Sequence, residues 1–391
     1  MSSSQAEVDI IRTTLRYHQE ETTHLEPQVL HNPVTNYADA ERLAQEQEVL
    51  FRQFPIIVGH VEQVEQPGQF FTHDETGTPI LVTLTREGEV KAFVNVCRHR
   101  GARIVTDTSG TTSTFSCPYH SWTYDLQGRL RGMRQPFGFD DLDKDQHGLV
   151  ELPVFERFGL IWVRPSASPM PISIDAWLAP LEEQLAAIDL STHTVFKAWS
   201  VDLNMGWRIA LEGFQESYHF CSAHKHTACS AYLDNRSVFV DLYPHVRHAV
   251  PLAHVPELVD QPEQDWDYRG NYMDQNYVFP CNFVQVMTDH VYIHTVIPTG
   301  PGTCVFKCMM LVPKGRMDEK AQRYWQANYD VVRTVFGEDF QIGEGIQRGL
   351  GTGVNQFFTI GKYETGIQLA ERAIDDALTG RLVCPEVVSV V

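Results

Sequence analysis

Positive charge is scarce in this chain: 31 Lys and Arg stand against 50 Asp and Glu, a formal charge of −19 over 391 residues. A phosphate backbone is bound by clustered cations that displace counterions, so this balance excludes nucleic acid as a partner. Long hydrophobic runs are missing too. No stretch reaches the roughly 18 consecutive apolar residues of a membrane helix, and Met1 to Glu7 shows neither a basic region nor an apolar one behind it. The expectation is a cytoplasmic protein with no membrane partner. Cysteine is sparse for a disulfide framework, with eight in the whole chain. There is no repeat of fixed period and no G-x-G-x-x-G opening a helix after a strand, so no nicotinamide or flavin site is expected within the chain.

What is present is a globular composition, 43% hydrophobic and 21% charged, in a chain long enough for two domains. After the turn-forming Asn32-Pro33 and Asn36, the Ala-, Glu- and Leu-rich stretch Ala38 to Arg52 predicts a helix. We take residues 1–50 as a helical arm. Residues 51–165 carry short β-branched and aromatic runs, such as Ile80 to Leu84 and Val90 to Val96, parted by turns such as Asp74-Glu75-Thr76-Gly77. That pattern reads as a small all-β domain. Ser166 to Pro171 has linker composition, and residues 166–391 mix the two signals. Helices are expected over 175–188, from Asp318 and over 359–378, with strands over 195–203 and 291–311. This order suits an α+β fold, an antiparallel sheet with helices on one side.

Two clusters carry chemistry. Cys97-Arg98-His99 and Cys117-Pro118-Tyr119-His120 are separated by 17 residues. Two thiolates and two imidazoles could hold one zinc or a [2Fe–2S] cluster with both imidazoles on one iron. The order decides between them. Common zinc fingers place both cysteines before both histidines, whereas here each loop supplies one of each. With their flanks, Arg100-Gly101 and Ser121-Trp122-Thr123-Tyr124-Asp125, the two loops closely resemble those of the Rieske oxygenases, Ser121 standing where Gly is usual. The resemblance implies that Cys97 and Cys117 bind one iron, and His99 and His120 the other.

The second cluster is the segment Trp207 to His224, where His219 and His224 lie five apart and would share a face only if a helix loosened or ended between them. An O2-activating Fe(II) calls for two histidines and a carboxylate. In the same family a stretch like Glu338-Asp339-Phe340-Gln341-Ile342-Gly343-Glu344 supplies that carboxylate, which by the match is Asp339, with Glu344 the weaker candidate. His226 offers a rival pair with His224.

The resemblance, from about residue 50 to 379, implies the catalytic alpha subunit of a Rieske non-haem iron oxygenase, with a helix-grip (START-like) catalytic domain over 166–391. Electrons from a separate NAD(P)H-dependent reductase, with or without a ferredoxin, would pass from the cluster through His120 and Glu216 to the iron at His219, His224 and Asp339. Because the bridge runs to a neighbouring subunit, it implies a head-to-tail homotrimer, a beta subunit being an optional addition. The reaction would be O2-dependent hydroxylation, dihydroxylation or N/O-dealkylation of a small organic substrate. That substrate would be aromatic, as in aromatic hydrocarbon catabolism, or a quaternary ammonium compound. Glu216, where most relatives carry Asp, resembles the carnitine and glycine betaine subgroup. Phe214, Tyr218, Tyr232, Phe283 and Tyr292 are candidates for an aromatic cage, each of them equally an ordinary core residue. The alternative readings are a Rieske electron carrier fused to a non-catalytic ligand-binding domain, and a zinc-stapled interaction module.

Overall fold

The computed structural model describes residues 3–167 and 171–386. Ser168 to Met170, at the centre of the expected linker, lie outside them. The chain divides into two compact units, one of Met1–Glu46 with His193–Leu382, the other of Gln47–Thr192 with Val383–Val391. No helix among the described residues is long and apolar enough to cross a membrane.

The second unit is all-β around residues 56–163. A five-stranded antiparallel sheet runs in the order Glu151–Leu152, Val90–Val94, Ile80–Leu84, Gln69–His73, Ser109–Thr111. Two three-stranded sheets accompany it, one of Val154–Arg157, Leu160–Val163 and Ile56–His60, the other of Phe115–Ser116, Thr123–Tyr124 and Leu130–Gly132. Period-two alternation puts Phe70, Leu81 and Phe93 into one core with Cys97, Cys117, Trp122 and Tyr124. The loops bearing the Cys-His pairs therefore stand on a packed floor.

The first unit is built on a seven-stranded antiparallel sheet. Its strands are β1 (His193–Leu203), β2 (Val238–Leu242), β3 (His245–Pro251), β4 (Tyr272–Val278), β5 (Asn282–Val286), β6 (Val291–Gly300) and β7 (Thr303–Pro313). The spatial order is β1-β7-β6-β5-β4-β3-β2, a meander from β2 to β7 closed by β1 on the far edge. The helices that lie against it include α1 (Trp207–Glu212) and the long α2 (Glu319–Leu350). Asp318 caps α2, its side chain accepting from the Ala321 amide at 2.9 Å. Phe336, Phe340 and Gly343 form the buried stripe of α2 at spacings of four and three, and Asp339 falls on that stripe beside them. A carboxylate on this helix is thereby carried toward the sheet.

The units depart from the expected boundaries at 50 and 165, and the packing says why. Helix Gln5–Gln19 places Ile10, Ile11 and Leu15 in one core with Val238, Ala249 and Trp266, and Leu30–Pro33 pairs antiparallel with Phe357–Ile360. The arm belongs to the sheet unit. Residues 171–192 belong with the all-β unit, where Trp177 packs its ring on Phe54 at 5.3 Å and Gly159 lies close against the backbone of Leu190 and Ser191. The helix expected over 175–188 is broken into Ile174–Leu178, a 3-10 turn and Glu182–Ile188, because Pro180 has no amide proton to continue the ladder. The helix expected over 359–378 begins only at Thr365, the preceding Phe357–Ile360 being a strand.

Candidate functional site

The two Cys-His loops repeat one backbone pattern. The Cys97 amide donates to the Ala102 carbonyl and the Gly101 amide to the Cys97 carbonyl, at 2.8 and 3.0 Å; Cys117 with Trp122 and Ser121 with Cys117 do the same at 2.8 and 2.9 Å. Position five of each loop is left-handed, Gly101 at φ +75° and Ser121 at φ +58°. That explains the usual glycine there, since a Cβ is strained in this region. The His99 and His120 rings lie 4.7 Å apart, and His99 stacks on Trp122. The Tyr124 hydroxyl lies 3.5 Å from the Cys97 thiol and accepts from the Arg98 amide. Among the described residues, the donor set gathered within 4.8 Å is another one, His219, His224 and Asp339.

The second site begins at α1, which is pinned before the histidines. Glu46 accepts from the Trp207 indole at 2.8 Å and from the Arg208 guanidinium at 2.6 Å, all three buried, and Arg208 also pairs with Glu371. The chain then leaves the helix, and α3 (Phe220–Ala223) is a single turn with His219 as its N-cap and His224 as its C-cap. The expected break between the histidines is thus a short helix flanked by both. Their rings lie 5.1 Å apart. Their Nε2 atoms converge on Oδ1 of Asp339, from His224 at 3.0 Å and from His219 at 3.6 Å. Two imidazoles and one carboxylate on one point are the donor set of a mononuclear Fe(II) with open positions, so the residues present fit that metal.

The far nitrogens have carboxylate partners as well. His219 Nδ1 hydrogen-bonds Glu216, which also accepts from the His219 amide at 3.1 Å. His224 Nδ1 meets Oε2 of Glu338 at 2.8 Å, and the Thr227 hydroxyl donates to the same oxygen at 2.7 Å. A proton held on each Nδ1 leaves both Nε2 lone pairs for a cation. Burial lowers the pKa of both rings, yet the hydrogen bonds and charges of Glu216, Asp339 and Glu338 outweigh it and leave both raised. The site is strongly negative, as a cation site should be.

Glu338 and Thr227 are what sequence reasoning missed; Glu338 was visible only as half of an acidic pair, and its partner lies 114 residues away. Glu344 is turned elsewhere, accepting from Asn204. His226 is exposed and outside the set. A disulfide between Cys221 and Cys229 encloses His224, a pairing that the cysteine count did not suggest.

A cavity of about 170 Å³ opens on His219, His224 and Asp339. Of the proposed cage, Phe214 and Tyr232 line it, joined by Phe220 and Phe336. Tyr218 is exposed with its ring on Tyr363, while Phe283 and Tyr292 are buried away from the cavity. The five-residue cage is therefore not assembled: Phe283 and Tyr292 share the sheet face of the cavity-lining Gln285, Tyr292 directly opposite it and Phe283 two residues before it, yet neither reaches the cavity, Phe283 instead packing on Phe214 at 5.5 Å. A second, apolar cavity of about 220 Å³ reaches Glu216, His219 and Asp339 past Ile209, Phe340 and Ile367.

Comparison with known proteins agrees with this geometry. Residues 54–141 match the Rieske [2Fe-2S] domain, and residues 190–380 the ring hydroxylating alpha subunit (catalytic domain). The glycine betaine monooxygenase oxygenase subunit of Chromohalobacter salexigens is 33% identical over 192 residues, 49% of this chain and 42% of that protein. The chain thus spans less than half the length of that relative. The chloroplastic choline monooxygenase of Beta vulgaris is 27% identical, covering 82% of this chain and 70% of its own. In fold, a quaternary ammonium Rieske monooxygenase solved with L-carnitine superposes with a TM-score of 0.76 at 20% identity, covering 90% of this chain and 97% of that one. Naphthalene 1,2-dioxygenase from Rhodococcus sp. does so with 0.75 at 17%, covering 96% and 98%.

Proposed function

We propose that this chain, which belongs to the family of Rieske ring-hydroxylating alpha subunits, is the terminal oxygenase of a multicomponent system acting on a small organic substrate. One observation carries the reading. A two-histidine, one-carboxylate set converges in the chain that also bears the paired Cys-His loops. An electron carrier with a passive ligand domain has no use for that set.

Bound at these positions, a [2Fe–2S] cluster and a mononuclear Fe(II) would supply electron storage and O2 activation. The chain's own residues do the rest. Cys97, His99, Cys117 and His120 hold the cluster; His219, His224 and Asp339 hold the iron. Glu216 and Glu338 keep the Nδ1 protons in place and so aim the Nε2 lone pairs. Phe214, Phe220 and Phe336 present an apolar wall that excludes water from the reacting end of the substrate. Glu216 already holds His219, and its remaining capacity faces the role of bridge to His120 of a neighbouring subunit in a closed trimer. The betaine and choline enzymes among the relatives support a quaternary ammonium substrate, and the naphthalene enzyme an aromatic one.

The test is metal content with turnover. Anaerobically purified protein should hold about three irons and about two acid-labile sulfides per chain. It should consume O2 with NADH only when a reductase is added. Stoichiometric zinc without iron, or unaided turnover with NADH, would defeat the reading.

A further inference from the structure

The strand register places one row of polar side chains across the wall of the substrate cavity. His248 on β3 stands directly opposite Gln275 on β4, and Gln275 opposite Gln285 on β5. Residues directly opposite in an antiparallel sheet project from the same face, so the three form one lateral band. All three line the cavity that opens on His219 and Asp339.

A band of amides and imidazole buried among Phe214, Phe220 and Phe336 is costly unless something pairs with it. Gln285 is paired, its carbonyl oxygen taking the Nε2 proton of His294 at 2.9 Å and its amide lying 2.8 Å from the Met273 sulfur. The other two are not. Both ring nitrogens of His248 and the side-chain oxygen of Gln275 have no hydrogen-bond partner among the described residues, although these residues are only 3% and 4% exposed. Phe239 stacks on the His248 ring at 4.3 Å and holds its plane. Burial, with the nearby His219, lowers the His248 pKa to about 3, so the ring is neutral at physiological pH. It presents one N–H donor and one acceptor, beside the acceptor oxygen of Gln275.

We propose that His248 and Gln275 form a subsite for a hydroxyl group on the substrate, which accepts from the imidazole N–H and donates to the Gln275 oxygen while the rest of the molecule extends toward His219 and Asp339. The assignment rests on the oxygenase reading for the direction of the substrate, and it makes the subsite a specificity device. A molecule of the same shape without the hydroxyl leaves both groups buried and unpaired. The subsite acts whether the remainder is an aromatic ring or an alkylammonium group, since neither group of the pair touches that end.

The test uses two matched pairs that differ only by hydroxyl against methyl: choline with n-propyltrimethylammonium, and 2-phenylethanol with n-propylbenzene. Binding to the full chain as purified is measured by calorimetry for wild type and for a His248→Leu/Gln275→Met double variant. The wild type should favour the hydroxyl member of at least one pair by roughly tenfold, and the variant should bring that preference to within about twofold. No preference in either pair, including no binding of any of the four at millimolar concentration, overturns the proposal, as does a preference that survives in the variant.

A second measurement needs no ligand. Groups kept unpaired for a substrate weaken the fold, so the double variant should melt at a higher temperature than the wild type. A lower melting temperature assigns His248 and Gln275 to the structure of the sheet and overturns the subsite. Iron content, read on the same samples, keeps the two ideas apart: protein without iron defeats the oxygenase reading while the hydroxyl preference can still stand or fall.

Discussion

Removing the Glu338 carboxylate measures how far a residue that touches no metal controls the metal site. Glu338 takes the His224 Nδ1 proton at 2.8 Å and the Thr227 hydroxyl proton at 2.7 Å on one oxygen. In Glu338→Ala the Nδ1 proton loses its acceptor, the tautomer that leaves Nε2 free is no longer favoured, and a buried imidazole is left to reorient. Loss of such a partner weakens metal affinity by about 10- to 100-fold, equivalent to about 1.4–2.8 kcal/mol. The lower end is expected, because the Glu338 side chain is 31% exposed and water replaces part of what is lost. Glu338→Gln separates charge from hydrogen bond: its amide oxygen still accepts from Nδ1, so its affinity should fall between those of wild type and Glu338→Ala. The assay is Fe(II) titration of metal-stripped protein against a competing chelator, with the visible absorbance of the Rieske cluster as an internal control. Wild-type affinity in Glu338→Ala refutes the orienting role. Complete loss of iron, matching Asp339→Ala, refutes it in the other direction by making Glu338 a ligand.

Three further outcomes follow from the same geometry. Asp339→Ala and His219→Ala should each empty the mononuclear site and leave the cluster spectrum intact, whereas Glu216→Gln should keep its iron and lose steady-state activity by orders of magnitude, read as iron content beside single-turnover oxidation of the cluster; Glu216→Gln losing iron as fully as Asp339→Ala would make Glu216 a ligand. Ser121→Gly relieves a left-handed residue at φ +58° and should stabilise the cluster-bearing unit by about 1 kcal/mol, seen as a higher denaturation midpoint; an unchanged or lower midpoint contradicts the strain. Glu46→Gln leaves the buried Arg208 with one carboxylate instead of two and should cost about 3 kcal/mol in chemical denaturation, while a loss under about 1 kcal/mol would show that Glu371 alone balances the guanidinium.

The sequence by itself determined the chemistry that is local. The two Cys-His loops, the five-residue spacing of His219 and His224, and the all-β character of residues 56–163 are written in contiguous residues, because turns, strand alternation and ligand pairs within a loop act over a few positions. Asp339 was reached through its resemblance to a family stretch; periodicity offered only an acidic pair on a helix. What the tertiary structure decided is what depends on partners far apart in the chain. The helical arm joins the sheet unit because Ile10, Ile11 and Leu15 find their core beside Val238 and Trp266, a complement that no local window contains. Glu338 reaches His224 across 114 residues. His248 meets Gln275 only through the β3–β4 register, and a one-residue slip would turn either side chain to the opposite face. The candidate Cys-His pairs and the two histidines were legible because they are a matter of residue type and short spacing. The orientation of those ligands, and the wall that faces the substrate, came only with the register of the sheet and the rotation of α2, which are set by burial of whole faces.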